Sequence, residues 1–216
     1  MSSYRSISRN SLLALSLALA ALVVPPSSAR AQNLDPALGE TAAGDLVADA
    51  VRAAAKADIA LVQAGVLKAA GLPQDMSAAT GLESVLLAYP QERIAVMTLE
   101  GSVVVAALER GLSVLPVPHK GFLQVSGVAV VYDPAAAPMK RVVSPTAAGV
   151  PLDPARRYKV AVALSLAQGY LGFFRVFNGK PRQELDTTLA QALSAHLATN
   201  PPVPKPPERL RPKATR

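Results

Sequence analysis

The apolar positions of this chain change their spacing along its length, and the changes mark out its elements. The strongest run is Gly121-Phe-Leu-Gln-Val-Ser-Gly-Val-Ala-Val-Val-Tyr-Asp-Pro134. Phe122, Val125, Val128, Val130, Val131 and Tyr132 favour extended backbone, while Gly121 and Asp133-Pro134 punctuate the ends, which predicts a central strand. Gly127 falls inside the run, where a missing side chain marks a bulge or a close backbone approach. Upstream, Leu46, Val47, Ala50, Val51 and Ala54 lie on one helical face and predict a helix over 40–56 with Thr41 as N-cap. Asp58 to Gln63 predicts a short buried strand, and 64–71 a turn. A loop at 72–79 leads to a short helix at 80–87, with Thr80 as cap and Glu83 as its partner. Then come a turn at 89–92, a strand from Arg93 to Leu99 and a helix from Ser102 to Leu112. Beyond the central run, strands at 139–145 and 158–164 flank a turn at 150–154. Residues 165–177, rich in glycine and aromatics, read as a loop or broken helix, and Asp186 caps a last helix over 187–198. Helices and strands interleave, so the expected class is α+β, a mixed sheet with packed helices in a single domain.

The two ends read differently. Arg5 and Arg9 precede an apolar run from Leu12 to Val24, broken by Pro25-Pro26 and followed by Ala29-Arg30-Ala31. That is the pattern of a secretory signal peptide over 1–31, cleaved near Ala31. Its apolar run of about 13 residues is short of the roughly 20 a membrane span needs, and no later stretch supplies one. The chain has no cysteine, so neither disulfides nor a lipid-bearing cysteine is expected, and a periplasmic or secreted address follows. Net charge is +7 over 216 residues. Three of those charges are Arg5, Arg9 and Arg30, and the stretch after Asn200 nets four more from Lys205, Arg209, Arg211, Lys213 and Arg216 against Glu208. The body between, residues 32–200, is neutral and offers no nucleic-acid-binding face. The proline-rich basic tail, 201–216, predicts polyproline II character without packed structure.

Several stretches, in order, resemble the C-terminal domain of the 5′-nucleotidase family. They are Gly44-Asp-Leu-Val-Ala-Asp-Ala50, Ala57-Asp-Ile-Ala-Leu61, Leu99-Glu-Gly101 before a helix, Gly121-Phe-Leu-Gln-Val-Ser-Gly127 with Tyr132-Asp-Pro134, and Pro151-Leu-Asp-Pro154 with Tyr158-Lys-Val-Ala161. The resemblance implies a domain that holds the nucleotide while a separate metallophosphatase domain, with two metal ions, hydrolyses it. Two-metal hydrolysis needs a cluster of His, Asp and Asn ligands. This sequence has two histidines, His119 and His196, and neither sits in a D-x-H, G-N-H-D or H-x-H setting. No catalytic residue, metal ligand or cofactor is therefore expected.

Where the family places ligand-binding residues, this chain departs from it. A G-G-x-I-R-like turn becomes Ala64-Gly-Val-Leu-Lys68, so Lys68 keeps the charge without the planar fork of arginine. P-F-G-N becomes Tyr89-Pro-Gln-Glu92, with Tyr89 as a substitute stacking ring one position early. N-F-N-A-x-G-G-D-G-Y becomes Leu164-Ser-Leu-Ala-Gln-Gly-Tyr-Leu-Gly-Phe173, with Ser165 for the ring, Leu171 for the acid, and Phe173 or Phe174 left to rebuild a base clamp. Losing two stacking faces costs about 2–6 kcal/mol. Lys68, Tyr89 and Phe173 are the candidate ligand contacts. Three readings follow: a non-catalytic binder of a nucleotide, nucleoside, other small molecule or protein; a binding subunit that completes a separate metallophosphatase; or an envelope interaction protein acting through its basic tail.

Overall fold

The computed structural model describes residues 35–69, 85, 91–200 and 208–214. The expected signal segment, the helix placed at 80–87 apart from Val85, and Tyr89 lie outside the described residues. Among those described, the order is α1 (Ala42–Ala55), β1 (Ile59–Gln63), β2 (Arg93–Glu100), α2 (Gly101–Leu112), β3 (Leu123–Ser126), β4 (Val128–Tyr132), β5 (Val142–Ala147) and β6 (Val150–Pro151). It continues with β7 (Arg157–Ala163), α3 (Leu164–Ala167), α4 (Phe174–Phe177), β8 (Arg182–Thr188), α5 (Leu189–Leu197) and β9 (Leu210–Pro212). No described helix is long and apolar enough to cross a membrane.

The main sheet has the order β3-β1-β7-β2-β8, with β1 and β7 parallel and the other pairs antiparallel. Every residue of β1 is buried, as befits a strand covered on both faces. Its alternation sorts the core. Ile59 and Leu61 face a cluster with α2, Phe122, Phe173 and Phe177, while Ala60 and Val62 face α1 and the Leu189 and Leu193 side of α5. α1 packs on the sheet through Leu46, Val47 and Val51 with alanines between them, and the Oγ of Thr41 accepts the Gly44 N–H at 3.0 Å to start it.

Gln124 ties the start of α1 to β3. Its side chain is fully buried, accepts from Thr41 N and donates to the carbonyls of Pro36 and Gly39. The helix comes so close that a Cβ on Gly44 would lie 2.2 Å from the Gln124 oxygen.

The expected central strand is two strands in two sheets. β3 is an edge of the main sheet, and β4 lies inside a second sheet of order β6-β5-β4-β9. Gly127 makes the corner: its φ is +74°, and a Cβ there would be 2.0 Å from the Asp58 carbonyl oxygen. Hydropathy cannot separate these strands, because both are apolar and one residue joins them. The strand expected at 139–145 begins later, at Val142, because Met139 turns the chain with φ +66°. The polar strand β8 was not predicted, since Arg182-Gln-Glu-Leu-Asp-Thr-Thr188 lies on the exposed edge and shows little apolar alternation. Asp186 belongs to that strand and pairs with Arg93 at 3.0 Å, and Thr188 caps α5 instead, in a capping box with Gln191.

The tail also differs from expectation. Leu210–Pro212 form β9, parallel to β4, and Leu210 enters the core. Proline content hid a segment whose anchors are a single leucine and a single arginine.

Candidate functional site

The parallel pair β1 and β7 both end at the same side of the main sheet, and the antiparallel β2 and β3 both begin there. Ligands of open sheets gather outside the carboxyl ends of parallel strands, where loops diverge. Here the loops are the 3₁₀ turn Ala64–Val66 after β1, residues 119–122 before β3, Glu92 before β2, and residues 164–177 after β7.

These loops are bonded to one another. Ala64 N donates to Phe122 O at 2.8 Å and Gly65 N to Lys120 O at 2.9 Å. Ser165 N donates to the Glu92 carboxylate at 2.7 Å, and the Gln63 side-chain amide donates to Ser165 Oγ at 3.0 Å. Gln63 is buried, and its Oε1 has no hydrogen-bond partner among the described residues. His119 Nδ1 accepts the Gly121 N–H at 2.8 Å, which needs a neutral ring on that side. Burial, then the nearby Arg110 charge, holds the His119 pKa below its ordinary value.

Residues 164–177 break into α3, a 3₁₀ turn and α4 for identifiable reasons. Gly169 adopts φ +91°, and a Cβ there would sit 2.6 Å from Phe174 Cα. Leu171 holds a left-handed conformation, φ +56°, that a branched side chain rarely takes. Arg110 supports it by donating to the Leu171 carbonyl at 2.7 Å and the Gly172 carbonyl at 3.3 Å.

The structure redistributes the sequence candidates. Phe173 is fully buried, stacked on Phe177 with centroids 5.8 Å apart, and the Arg110 guanidinium lies 5.6 Å from its ring. It is a core residue, not an open stacking face. The open aromatic faces of this segment are Tyr170, 63% exposed, and Phe174, 59% exposed. Because Gly169 packs on Phe174, these two rings stand on adjoining turns. Lys68 is half-buried, with its N–H on the Val85 carbonyl at 2.8 Å. Tyr89 lies outside the described residues. Leu166 is a core residue, and Leu164 and Leu171 pack partly buried against the same core.

Sequence reasoning missed the Gln63–Ser165–Glu92 linkage and the support from Arg110. The first joins residues 63, 92 and 165, which no local pattern connects. For the second the only signal is Arg110 beside Glu109 on a helix whose other residues are apolar or small. Among the described residues no group of three or more His, Cys, Asp or Glu side chains could hold a metal ion.

Among solved structures, the chain is similar to a 5′-nucleotidase precursor from Thermus thermophilus, with 24% identity and a TM-score of 0.71. The match covers 84% of this chain and 37% of that one. It is also similar to the NAD nucleotidase of Haemophilus influenzae, at 18% identity and a TM-score of 0.66, covering 81% of this chain and 33% of that one. A putative 5′-nucleotidase from Staphylococcus aureus, in complex with α-ketoglutarate, matches at 18% identity and a TM-score of 0.63 over 78% of this chain and 36% of that one. The chain thus spans about a third of the length of these structures. No curated protein matches it in sequence. The model of the 5′-nucleotidase C-terminal domain family matches residues 22–179, and with that match the chain belongs to the 5′-nucleotidase C-terminal domain family.

Proposed function

We propose that this domain is an exported, non-catalytic binder whose ligand site is the loop end of the main sheet. Its ligand is a nucleoside, a nucleotide or another small molecule with a flat ring, held more weakly than in a nucleotidase. The observation that carries this reading is the pair of open rings, Tyr170 and Phe174, on adjoining turns at the loop end of the main sheet. One aromatic face contributes about 1–3 kcal/mol to base stacking. The weakening follows from the polar groups nearby: Glu92 accepts the Ser165 N–H, which takes part of that carboxylate's capacity from a ligand. The basic, apolar and A-x-A pattern of residues 1–31 supports export to the periplasm or cell exterior.

Titration calorimetry of the protein with adenosine, AMP and UMP up to millimolar concentration tests the reading. Saturable heat that falls on Tyr170→Ala or Phe174→Ala supports it. No heat with any of the three sinks the nucleotide part.

The span of about a third of each nucleotidase favours a second reading, a binding domain that works beside a metallophosphatase. Phosphate release from AMP by a separate metallophosphatase, raised on adding this protein, is the measurement that supports it.

A further inference from the structure

The C-terminal segment is held as a peptide ligand is held. Glu40 takes two successive backbone amides with its two oxygens, Arg209 N at 2.7 Å and Leu210 N at 2.8 Å. Strand pairing with the edge of β4 adds Val130 N to Arg209 O at 2.6 Å and Lys213 N to Tyr132 O at 2.7 Å. The Arg209 side chain enters a socket at the start of α1, where it donates to Val125 O at 2.7 Å and Asp49 Oδ2 at 2.8 Å and lies 3.5 Å from Asp45 Oδ1. Leu210 fills an apolar seat formed with Leu108, Leu112, Phe122 and Val125, and leaves a cavity of about 10 Å³ beneath it. Backbone pairing, one charged pocket and one apolar pocket are the parts of strand-addition recognition.

The socket is acidic and half-buried. Asp45 is 4% exposed, and neither of its oxygens has a hydrogen bond among the described residues. With Arg209 gone, Glu40, Asp45 and Asp49 would share one site, and Arg52 is committed to Ser126 Oγ at 2.7 Å. Arg209 pairs with the half-buried Asp49 carboxylate, and the backbone amides of 209 and 210 bond the half-buried Glu40, so an empty groove leaves both carboxylates without these partners. The segment also lies beyond residues 22–179, the part that matches the family. What the groove needs is an extended strand with Arg-Leu, and the one molecule certain to carry it is another copy of this chain.

We propose that the groove between the β4 edge and the start of α1 is a binding site for an extended Arg-Leu segment, filled here by the chain's own residues 208–213 and exchangeable with the same segment of a second copy. Exchange joins two copies through reciprocal tails.

A labelled peptide of residues 204–216 and fluorescence anisotropy test it, using the full chain and its Arg209→Ala variant. Arg209→Ala loosens the resident tail, so the variant should bind the wild-type peptide at least about tenfold more tightly than the wild-type chain does. The same peptide carrying Arg209→Ala should not compete. Equal, negligible binding to both chains, with the variant retaining a cooperative melt, overturns the proposal. Should the variant lose its cooperative melt, excess wild-type peptide must restore it, and failure to restore it overturns the proposal equally. For the second copy, sedimentation equilibrium of the wild-type chain should reveal a dimer at high concentration that excess peptide dissolves. A monomer at every concentration overturns exchange between copies and leaves the Arg-Leu segment of another protein as the occupant. AMP binding at Tyr170 and Phe174 is a separate readout, so either reading can fail alone.

Discussion

Gly44→Ala isolates the closest contact between α1 and the sheet. Alanine at a helix interior is favoured over glycine by about 1 kcal/mol, so an isolated helix would gain. In this fold the new Cβ would meet Gln124 Oε1 at 2.2 Å and its Cδ and Cγ at 2.4 Å. Gln124 cannot swing aside freely, because its buried amide holds Thr41 N at 3.0 Å, Pro36 O at 3.0 Å and Gly39 O at 2.8 Å. Displacing it breaks those bonds at roughly 1 kcal/mol each and strands a buried amide at roughly 1–3 kcal/mol more. The net is a destabilisation of about 3–5 kcal/mol, a drop of roughly 6–20 °C in melting temperature for a chain of this size. Thermal and urea unfolding of Gly44→Ala, Gln124→Ala and the double variant read it. The double variant should be more stable than the sum of the two losses implies, by about 1–3 kcal/mol, because the smaller side chain removes the collision. A Gly44→Ala protein as stable as wild type would refute the reasoning.

Phe173→Ala should lower stability by about 3–5 kcal/mol, whereas Phe174→Ala should leave the melt unchanged and weaken AMP binding; the reverse pattern would return the stacking role to Phe173. Burial first, and then the neighbouring Glu40 charge, raise the Asp45 pKa from 3.8 to about 9 against the pull of Arg209. The folded state therefore holds a proton that the unfolded chain gives up above pH 3.8, and stability is fully present below that pH and declines as pH rises towards 9. Asp45→Asn should flatten melting temperature against pH between 5 and 9, and an unchanged slope would count against a buried neutral acid. Glu109 accepts the backbone amides of Arg141 at 2.8 Å and Val142 at 2.9 Å, so Glu109→Gln, which turns one acceptor into a donor, should cost about 1–3 kcal/mol in urea unfolding.

The elements read most easily from sequence were those whose own residues carry the signal. Leu46, Val47, Ala50 and Val51 mark one face of α1, and Thr41 caps it as expected. β1, β2, α2 and β7 came out within a residue or two of their expected limits, because each is a short apolar run with turn residues close by. β8 did not, since an exposed edge strand needs no apolar alternation, and its partner Arg93 lies far away in sequence.

The order of apolar and small residues thus determined by itself the α+β class and most helices and strands, because local periodicity and turn chemistry act over a few residues, while the family showed in a resemblance carried by ordered motifs. Tertiary structure alone decided the rest. Gly127 divides one apolar run between two sheets only because the Asp58 carbonyl already occupies the space its Cβ would need. Phe173 and Phe174 are adjacent and chemically alike, yet one closes the core and the other faces solvent, which depends on how Gly169 and Leu171 turn the chain. Arg209 looked like one charge in a solvated tail until Glu40, Asp45 and Asp49 were brought around it. Each outcome rests on contacts between residues far apart in the chain, and no local pattern records those.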